Sequence, residues 1–520
     1  MKYRSTRGKA SGQSFESVVL EGLAADGGLY IPEHLPSLPA DWQTAWAQLS
    51  FPQLATEIIS LFVGDDMTHA QVEKLVSKSY SSFDTAQVTP LVDLDKATST
   101  HILELFHGPT FAFKDVALQF LGNLFEFFLE RRNAQRADGE AAHRITVVGA
   151  TSGDTGSAAI YGLRGKKNVS VFILHPKGRV SPIQEAQMTT VLDDNVHNVA
   201  LAGTFDDCQD IVKELFGRPA FKKDHALGAI NSINWARILA QITYYFYAYF
   251  SLVRLGVTHP KPVFVVPSGN FGDILTGYYA QSLGLPVGKL AIATNGNDIL
   301  DRFLRSGKYE KNSDGGVLAT PSPAMDILVS SNFERFLWYL ACNNEVAEDA
   351  QGSPEQAACE IVRGWMDQLK VDGSFAVSDK ALQAARQIFW SGRCSDEETY
   401  ATIEKYYAKD SGSSYLLDPH TAVGVYVAET LRADIENLGG DSVHTICLST
   451  AHPAKFSEAV LKAVNEKGHH LDFQSILPPP LVGLLEKPKR CVDCENSVDA
   501  VAKIIVDQAR VGFSSNATVE

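Results

Sequence analysis

Three times along this chain a short run of β-branched and apolar residues ends in a turn of small and hydroxylated residues that opens a helical pattern. Residues 144–148 lead into Gly149-Ala150-Thr151-Ser152-Gly153-Asp154-Thr155-Gly156. Residues 263–266 lead into Pro267-Ser268-Gly269-Asn270-Phe271-Gly272-Asp273, and residues 443–448 into Ser449-Thr450-Ala451-His452-Pro453. Another strand-like run, 169–174, follows the first of these helices. Strand, turn, helix and strand therefore fit in about 30 residues, the size of a βαβ unit in a parallel sheet. A fourth junction, His107-Gly108-Pro109-Thr110-Phe111-Ala112-Phe113-Lys114-Asp115, joins the apolar run 102–106 to a helical pattern over 116–129. This grammar commits the chain to an α/β fold of open, mostly parallel sheets with helices on both faces. Ligands bind beyond the carboxyl ends of such strands. All four turns occupy those ends, so one pocket can collect them.

Lys114 is the residue with the sharpest chemistry. Gly, Pro and Thr break the chain before it, Asp115 is the expected helix N-cap, and Phe111 and Phe113 flank it. A free lysine amine is almost wholly protonated at neutral pH. Desolvation between aromatic rings at the positive end of a helix disfavours the ammonium. A lysine in that setting suits a Schiff base with a carbonyl compound, pyridoxal phosphate foremost. A lysine reaching from a loop to water is the bland alternative.

Each turn taken alone has two readings. Ser268 to Asp273 is either a phosphate cradle, with glycines admitting an anion to a helix N-terminus, or a plain strand–helix turn. It is neither a Walker loop nor a GxGxxG. Thr151, Ser152, Asp154 and Thr155 offer hydroxyls and amides that suit a substrate carboxylate, or they cap a helix. Ser152 as a hydrolase nucleophile is a third reading, although the spacing is not GxSxG. Thr450 could meet a pyridine nitrogen or satisfy its own turn. Asn234 and Arg237, three apart at the start of a tyrosine-rich helix, share a face or merely cap.

Bulk properties narrow the classes. The chain has 520 residues, enough for two or three domains, and a formal net charge of −15. That charge argues against nucleic acid or an anionic membrane as partner. Seven cysteines without a disulfide framework point to a reducing compartment, the cytoplasm. Cys491 and Cys494 form a lone CxxC with no second pair for zinc. The longest uncharged run, 238–253, is too short for a membrane span and reads as a buried helix. The expected division is an N-terminal domain over 1–95, an α/β core over 96–480 in two lobes (the smaller about 130–220), and a C-terminal helical tail over 481–520. Residues 307–323 read as a mobile surface loop.

Together the motifs are similar to those of the threonine synthase family, pyridoxal-phosphate enzymes of the tryptophan-synthase-β-like fold type II, and most of all its long fungal and bacterial branch. The likeness runs from Ser5-Thr6-Arg7-Gly8 and residues 22–32 through His107 to Asp115, Thr151 to Gly156, Asn231 to Arg237 and Pro267 to Asp273, and ends at Thr450 to Phe456. The resemblance implies that Lys114 carries pyridoxal 5′-phosphate and is the catalytic base. It places Ser268, Gly269, Asn270, Phe271, Gly272 and Asp273 around the cofactor phosphate and Thr450 at the pyridine nitrogen. It implies that Thr151, Ser152, Asp154 and Thr155 hold the substrate carboxylate or flank the cofactor ring, with Asn234, Arg237 and Lys455 as further substrate contacts and no metal. The implied reaction turns O-phospho-L-homoserine and water into L-threonine and phosphate in a closing, water-excluding site. A lyase or dehydratase giving 2-oxobutanoate, and a non-catalytic metabolite-binding protein, are the alternatives. The oligomeric state is left open, and a monomer fits the sequence.

Overall fold

The computed structural model describes residues 1–312, 316–347, 352–408, 414–440 and 442–514. Among the described residues fifteen strands run in chain order: β1 (Tyr3–Ser5), β2 (Tyr30–Pro32), β3 (Leu91–Asp95), β4 (Thr100–Glu104), β5 (Ile145–Ala150), β6 (Val169–Pro176), β7 (Val196–Leu201), β8 (Leu227–Gly228), β9 (Val263–Pro267), β10 (Lys289–Thr294), β11 (Lys308–Glu310), β12 (Ser374–Ala376), β13 (Phe389–Arg393), β14 (Thr445–Ser449) and β15 (Val492–Cys494). Two sheets carry the fold. The larger has the order β13-β10-β9-β14-β4-β3, parallel except where β3 pairs antiparallel with β4. The smaller, β15-β7-β6-β5-β8, is parallel throughout.

Alternation along the strands shows why helices cover both faces. On the larger sheet Phe264, Val266, Leu290 and Ile292 face one core, shared with the helices Trp235–Arg254 and Gly272–Leu283. Val263, Val265, Ala291 and Cys447 face a second core, beneath the helix Pro419–Thr430. A parallel strand apolar on both sides needs a cover on both sides. The smaller sheet does the same. Val147, Val171 and Ile173 point one way, and Val148, Phe172 and Leu174 the other.

The expected division of the chain differs from its packing at both ends. Tyr3, Phe15, Trp42 and Phe51 lie in one continuous core with Trp235 and Phe246. The Tyr3 hydroxyl accepts from Trp235 Nε1 at 3.1 Å and donates to the Phe62 carbonyl at 2.7 Å. A boundary at residue 95 would also cut the β3–β4 hairpin. At the other end, β15 joins the edge of the smaller sheet beside β7, and Val501 and Ile505 of the helix Val498–Ser514 sit in that lobe's core. Of residues 307–323, β11 pairs with β12. Thr320 accepts from Asn295 Nδ2 at 2.8 Å and donates to Asp326 at 2.7 Å. Residues 313–315 lie outside the described residues. Among the described residues no helix is long and apolar enough to cross a membrane, no cluster of histidine, cysteine and carboxylate side chains could hold a metal, and Cys491 and Cys494 stand free.

Candidate active site

Adjacent strands β4, β14 and β9 deliver three of the four turns to one edge of the larger sheet. Backbone contacts lock two of them together. Phe113 N–H donates to the Thr450 carbonyl at 2.8 Å, and His452 N–H to the Phe111 carbonyl at 3.0 Å. The fourth turn, from β5 of the smaller sheet, meets them through side chains. Asp154 Oδ2 lies 3.7 Å from Lys114 Nζ, and Asp154 Oδ1 lies 2.8 Å from Lys455 Nζ. The site is thus a seam between two sheets.

Lys114 opens the helix Lys114–Ala134 and is 8% exposed. Its Nζ lies 5.1 Å from the centre of the Phe113 ring. Burial pushes its amine below the ordinary lysine value; Asp154 pulls the other way, and Lys455 and Arg237 reinforce the depression. Asp115 does not cap this helix. Phe113 occupies the cap position, and Asp115, inside the first turn, reaches back to accept from Thr110 N–H and Oγ1, each at 2.7 Å. That loop closure competes with capping for the same carboxylate. Burial raises Asp115 to about 6 despite those bonds.

The Thr151–Gly156 turn is built around one threonine. Thr151 Oγ1 accepts from Gly153 N–H at 2.9 Å and Gly156 N–H at 2.8 Å. Gly153 has φ +143°, and a Cβ there would fall 2.4 Å from Gln184 Oε1, so only glycine fits. Ser152 is exposed, and Thr155 is half-buried. Burial alone would raise the Asp154 carboxyl. The Lys455 and Lys114 ammonium groups outweigh it and hold Asp154 well below the usual carboxylate range.

In the Ser268–Asp273 turn, Phe271 takes φ +60° and Phe111, beside Lys114, takes φ +59°. Bulky residues in the left-handed region cost about 1 kcal/mol or more each and gather at functional sites. A Cβ on Gly269 would lie 2.9 Å from Met325 Cα, so the turn is held tightly from behind. Asp273 Oδ1 accepts from the Tyr244 hydroxyl at 2.5 Å and the Tyr245 hydroxyl at 3.0 Å, and burial raises this carboxyl to about 7. Four buried polar atoms here have no partner among the described residues: Ser268 Oγ, Asp273 Oδ2, Thr450 Oγ1 and Arg237 Nε. Ser268 and Thr450 follow the adjacent strands β9 and β14, and unpaired buried polar groups are costly, so these turns offer a place for a polar ligand.

Two expected substrate contacts turn inward. Asn234 accepts from Ala236 N–H at 3.0 Å, capping its helix, and donates to the Val19 carbonyl at 2.9 Å. Lys455 spends its Nζ on Asp154 and on the Thr110 carbonyl, each at 2.8 Å. Arg237 donates Nη1 to the Ile230 carbonyl at 3.0 Å, and burial lowers its guanidinium to about 10.

Sequence reasoning missed the group beneath the Thr450 turn. Asp418 Oδ1 accepts from His420 Nδ1 at 2.8 Å, and His420 Nε2 accepts from Ala324 N–H at 3.1 Å, next to the Gly269 turn. Thr421 Oγ1 accepts from Thr450 N–H at 3.3 Å. The signal was present as Asp418-Pro419, an N-cap with proline at the first helical position.

Family models cover nearly the whole chain. "Threonine synthase N terminus" matches residues 2–80, "Pyridoxal-phosphate dependent enzyme" residues 83–363, and "Threonine synthase, C-terminal" residues 421–505. The chain belongs to the threonine synthase family. It is 52% identical to the threonine synthase of Schizosaccharomyces pombe, over 97% of this chain and 98% of that protein. It is 44% identical to that of Pseudomonas aeruginosa, over 98% and 99%. Among solved structures, threonine synthase from yeast superposes with a TM-score of 0.91 at 51% identity, covering 98% of this chain and 99% of that one. A PLP-bound threonine synthase from Brucella melitensis superposes with 0.86 at 42% identity, covering 98% and 100%. The fold is therefore the pyridoxal-phosphate fold type II expected from the sequence, and pyridoxal 5′-phosphate is the cofactor of this family enzyme. The residues present fit it. A buried amine, two unpartnered hydroxyls and a glycine turn at a helix N-terminus are the donor set that an aldehyde, a ring nitrogen and a phosphate require.

Proposed function

We propose that this threonine synthase family enzyme converts O-phospho-L-homoserine and water to L-threonine and phosphate at the seam between its two sheets. The observation that carries this reading is the buried Lys114 amine beside Asp154, with unpartnered Ser268 and Thr450 hydroxyls in the turns that follow the adjacent strands β9 and β14. In this reading Lys114 would hold the cofactor, the Ser268–Asp273 turn would receive its phosphate on backbone N–H groups and Ser268 Oγ, and Thr450 Oγ1 would meet its ring nitrogen. Pyridoxal phosphate, when bound, supplies the electron sink for charge left on the substrate carbon.

The chain's own residues do the rest. The Thr151–Thr155 turn receives the substrate carboxylate on Ser152, Thr155 and backbone N–H groups. The Lys114 amine would take the proton from the substrate Cα and is placed to move protons at Cβ. The unpartnered Arg237 Nε is the donor best suited to the departing phosphate. Phe111 and Phe113 exclude water around these proton transfers. The seven cysteines all stand free, which supports the cytoplasm as the compartment, and the partner is a small molecule.

Incubating the full-length holoenzyme with O-phospho-L-homoserine tests the reading. Threonine and phosphate are expected to appear in equal amounts. Formation of 2-oxobutanoate in place of threonine would make the protein a lyase or dehydratase. Saturable binding without turnover would make it a metabolite-binding protein.

A further inference from the structure

Asp154 stands between two lysines and is shared unequally. Lys455 Nζ is at 2.8 Å from Oδ1, in hydrogen-bond contact, while Lys114 Nζ is at 3.7 Å from Oδ2. The Lys455 side chain is 0% exposed, and its second bond, to the Thr110 carbonyl at 2.8 Å, fixes its direction. Gln184 Nε2 donates to Asp154 Oδ1 at 3.0 Å and holds the carboxylate in place. Asp115 also acts on Lys455, but its oxygens are bound to Thr110, so Asp154 is the carboxylate that both ammonium groups contact. In a site this dry a second positive charge is costly, and Arg237, from the helix Trp235–Arg254, adds to the cost. The lysine with the shorter contact and the extra acceptor takes the counter-charge.

We propose that Lys455 is a positioning residue for this reaction: it claims the Asp154 carboxylate, so that the Lys114 amine is left without a full counter-charge and gives up its proton more readily. Lys455 thus acts through Lys114 and not on the substrate phosphate. Lys114 meets a charge or a ring from each neighbouring element: Asp154 from the helix Asp154–Leu163, Lys455 from the turn Pro453–Phe456, Arg237, and the Phe113 ring. A second cation that prepares a lysine for Schiff-base chemistry is an established way to activate an amine. The direction of the Lys114 shift agrees, with burial its largest cause and Lys455 and Arg237 adding to it. The inference rests on the reading of Lys114 as the cofactor lysine.

Its test is charge arithmetic on the full-length chain stripped of cofactor. Trace acetic anhydride is applied over a pH series, and acetylation of Lys114 is read by peptide mass spectrometry. Lys455→Met leaves Asp154 to Lys114 alone, so the labelling midpoint is expected to rise and labelling at neutral pH to fall about tenfold or more. Lys455→Arg keeps the charge and is expected to keep the wild-type midpoint. The double variant Lys455→Met with Asp154→Asn removes both charges and is expected to bring the midpoint back down. A purely structural lysine could not produce that reversal. An unmoved midpoint in Lys455→Met, or no return in the double variant, overturns the proposal. Should Lys455→Met fail to fold, Lys455→Gln keeps the hydrogen bonds without the charge and carries the same expectation. The readout needs neither cofactor nor substrate, so a chain that made no threonine would leave this result standing.

Discussion

Two sets of buried polar residues, one beside Lys114 and one in and around the turns after β9 and β14, differ in completeness. Around Thr110, Asp115, Asp154, Gln184 and Lys455 every named carboxylate and ammonium is paired within the chain. Around Ser268, Asp273, Thr450 and Arg237 each residue has a buried atom with nothing to bond. Both clusters are equally dry. The first is a finished network that holds the loops and sets the charge on Lys114. The second keeps unpaired atoms that a bound polar ligand would satisfy. Burial of polar groups therefore does not by itself reveal a ligand site; the unpaired remainder does.

Four substitutions would break or sharpen that contrast. The largest effect belongs to the junction itself. Lys114→Ala is expected to lower threonine formation by at least about 10³-fold and to abolish covalent attachment of the cofactor, read by mass spectrometry after borohydride reduction. Next comes the finished cluster. Asp154→Ala strands the buried Lys455 ammonium and is expected to cost about 3–5 kcal/mol in denaturant unfolding; a loss under about 1 kcal/mol would show that the network is not closed.

The third is a pH effect in the unfinished cluster. With Asp273 at about 7 folded and near ~3.9 unfolded, the folded state keeps its proton longer. Its contribution is full below the unfolded value and is lost as pH rises through about 7. Thermal unfolding of the cofactor-free chain is expected to show that decline, and Asp273→Asn to flatten it. The smallest effect is also the most discriminating. Ser268→Ala removes an unpaired hydroxyl, so unfolding of the cofactor-free chain should change by no more than about 0.5 kcal/mol, while cofactor affinity falls about tenfold. Equal losses in both measurements would erase the distinction between the clusters.

The parts of the fold legible in the sequence are those encoded locally. Runs of β-branched residues ending in glycine turns identify β5, β9 and β14 because each such unit carries its own signal within about 30 residues. Lys114 is legible for the same reason, since its aromatic neighbours and its helix lie beside it in the chain. What escapes is long-range. β15 has three residues and becomes a strand only by pairing with β7, almost 300 residues earlier. The hold of Lys455 on Asp154 spans a similar separation, so a buried lysine looks in sequence like any basic residue after a turn. Asn234 shows the reverse case: the same asparagine suits a cap or a ligand contact, and the distances to Ala236 and Val19 show both ends of its amide committed. Asp115 fails as a cap because Thr110, five residues back, offers two donors where a helix N-terminus offers one more amide.

The placement of β15 also orders events during synthesis. Until Val492–Cys494 has left the ribosome, the nascent smaller lobe presents β7 as an open edge, a ready template for mispairing with another chain. Phe172, Leu174 and Val199 wait on the same late segment for Val501 and Ile505 to shield them. A segment far downstream of β7 thus seals the lobe that holds Asp154, and a chain stalled or nicked before it is expected to leave that edge and that core open.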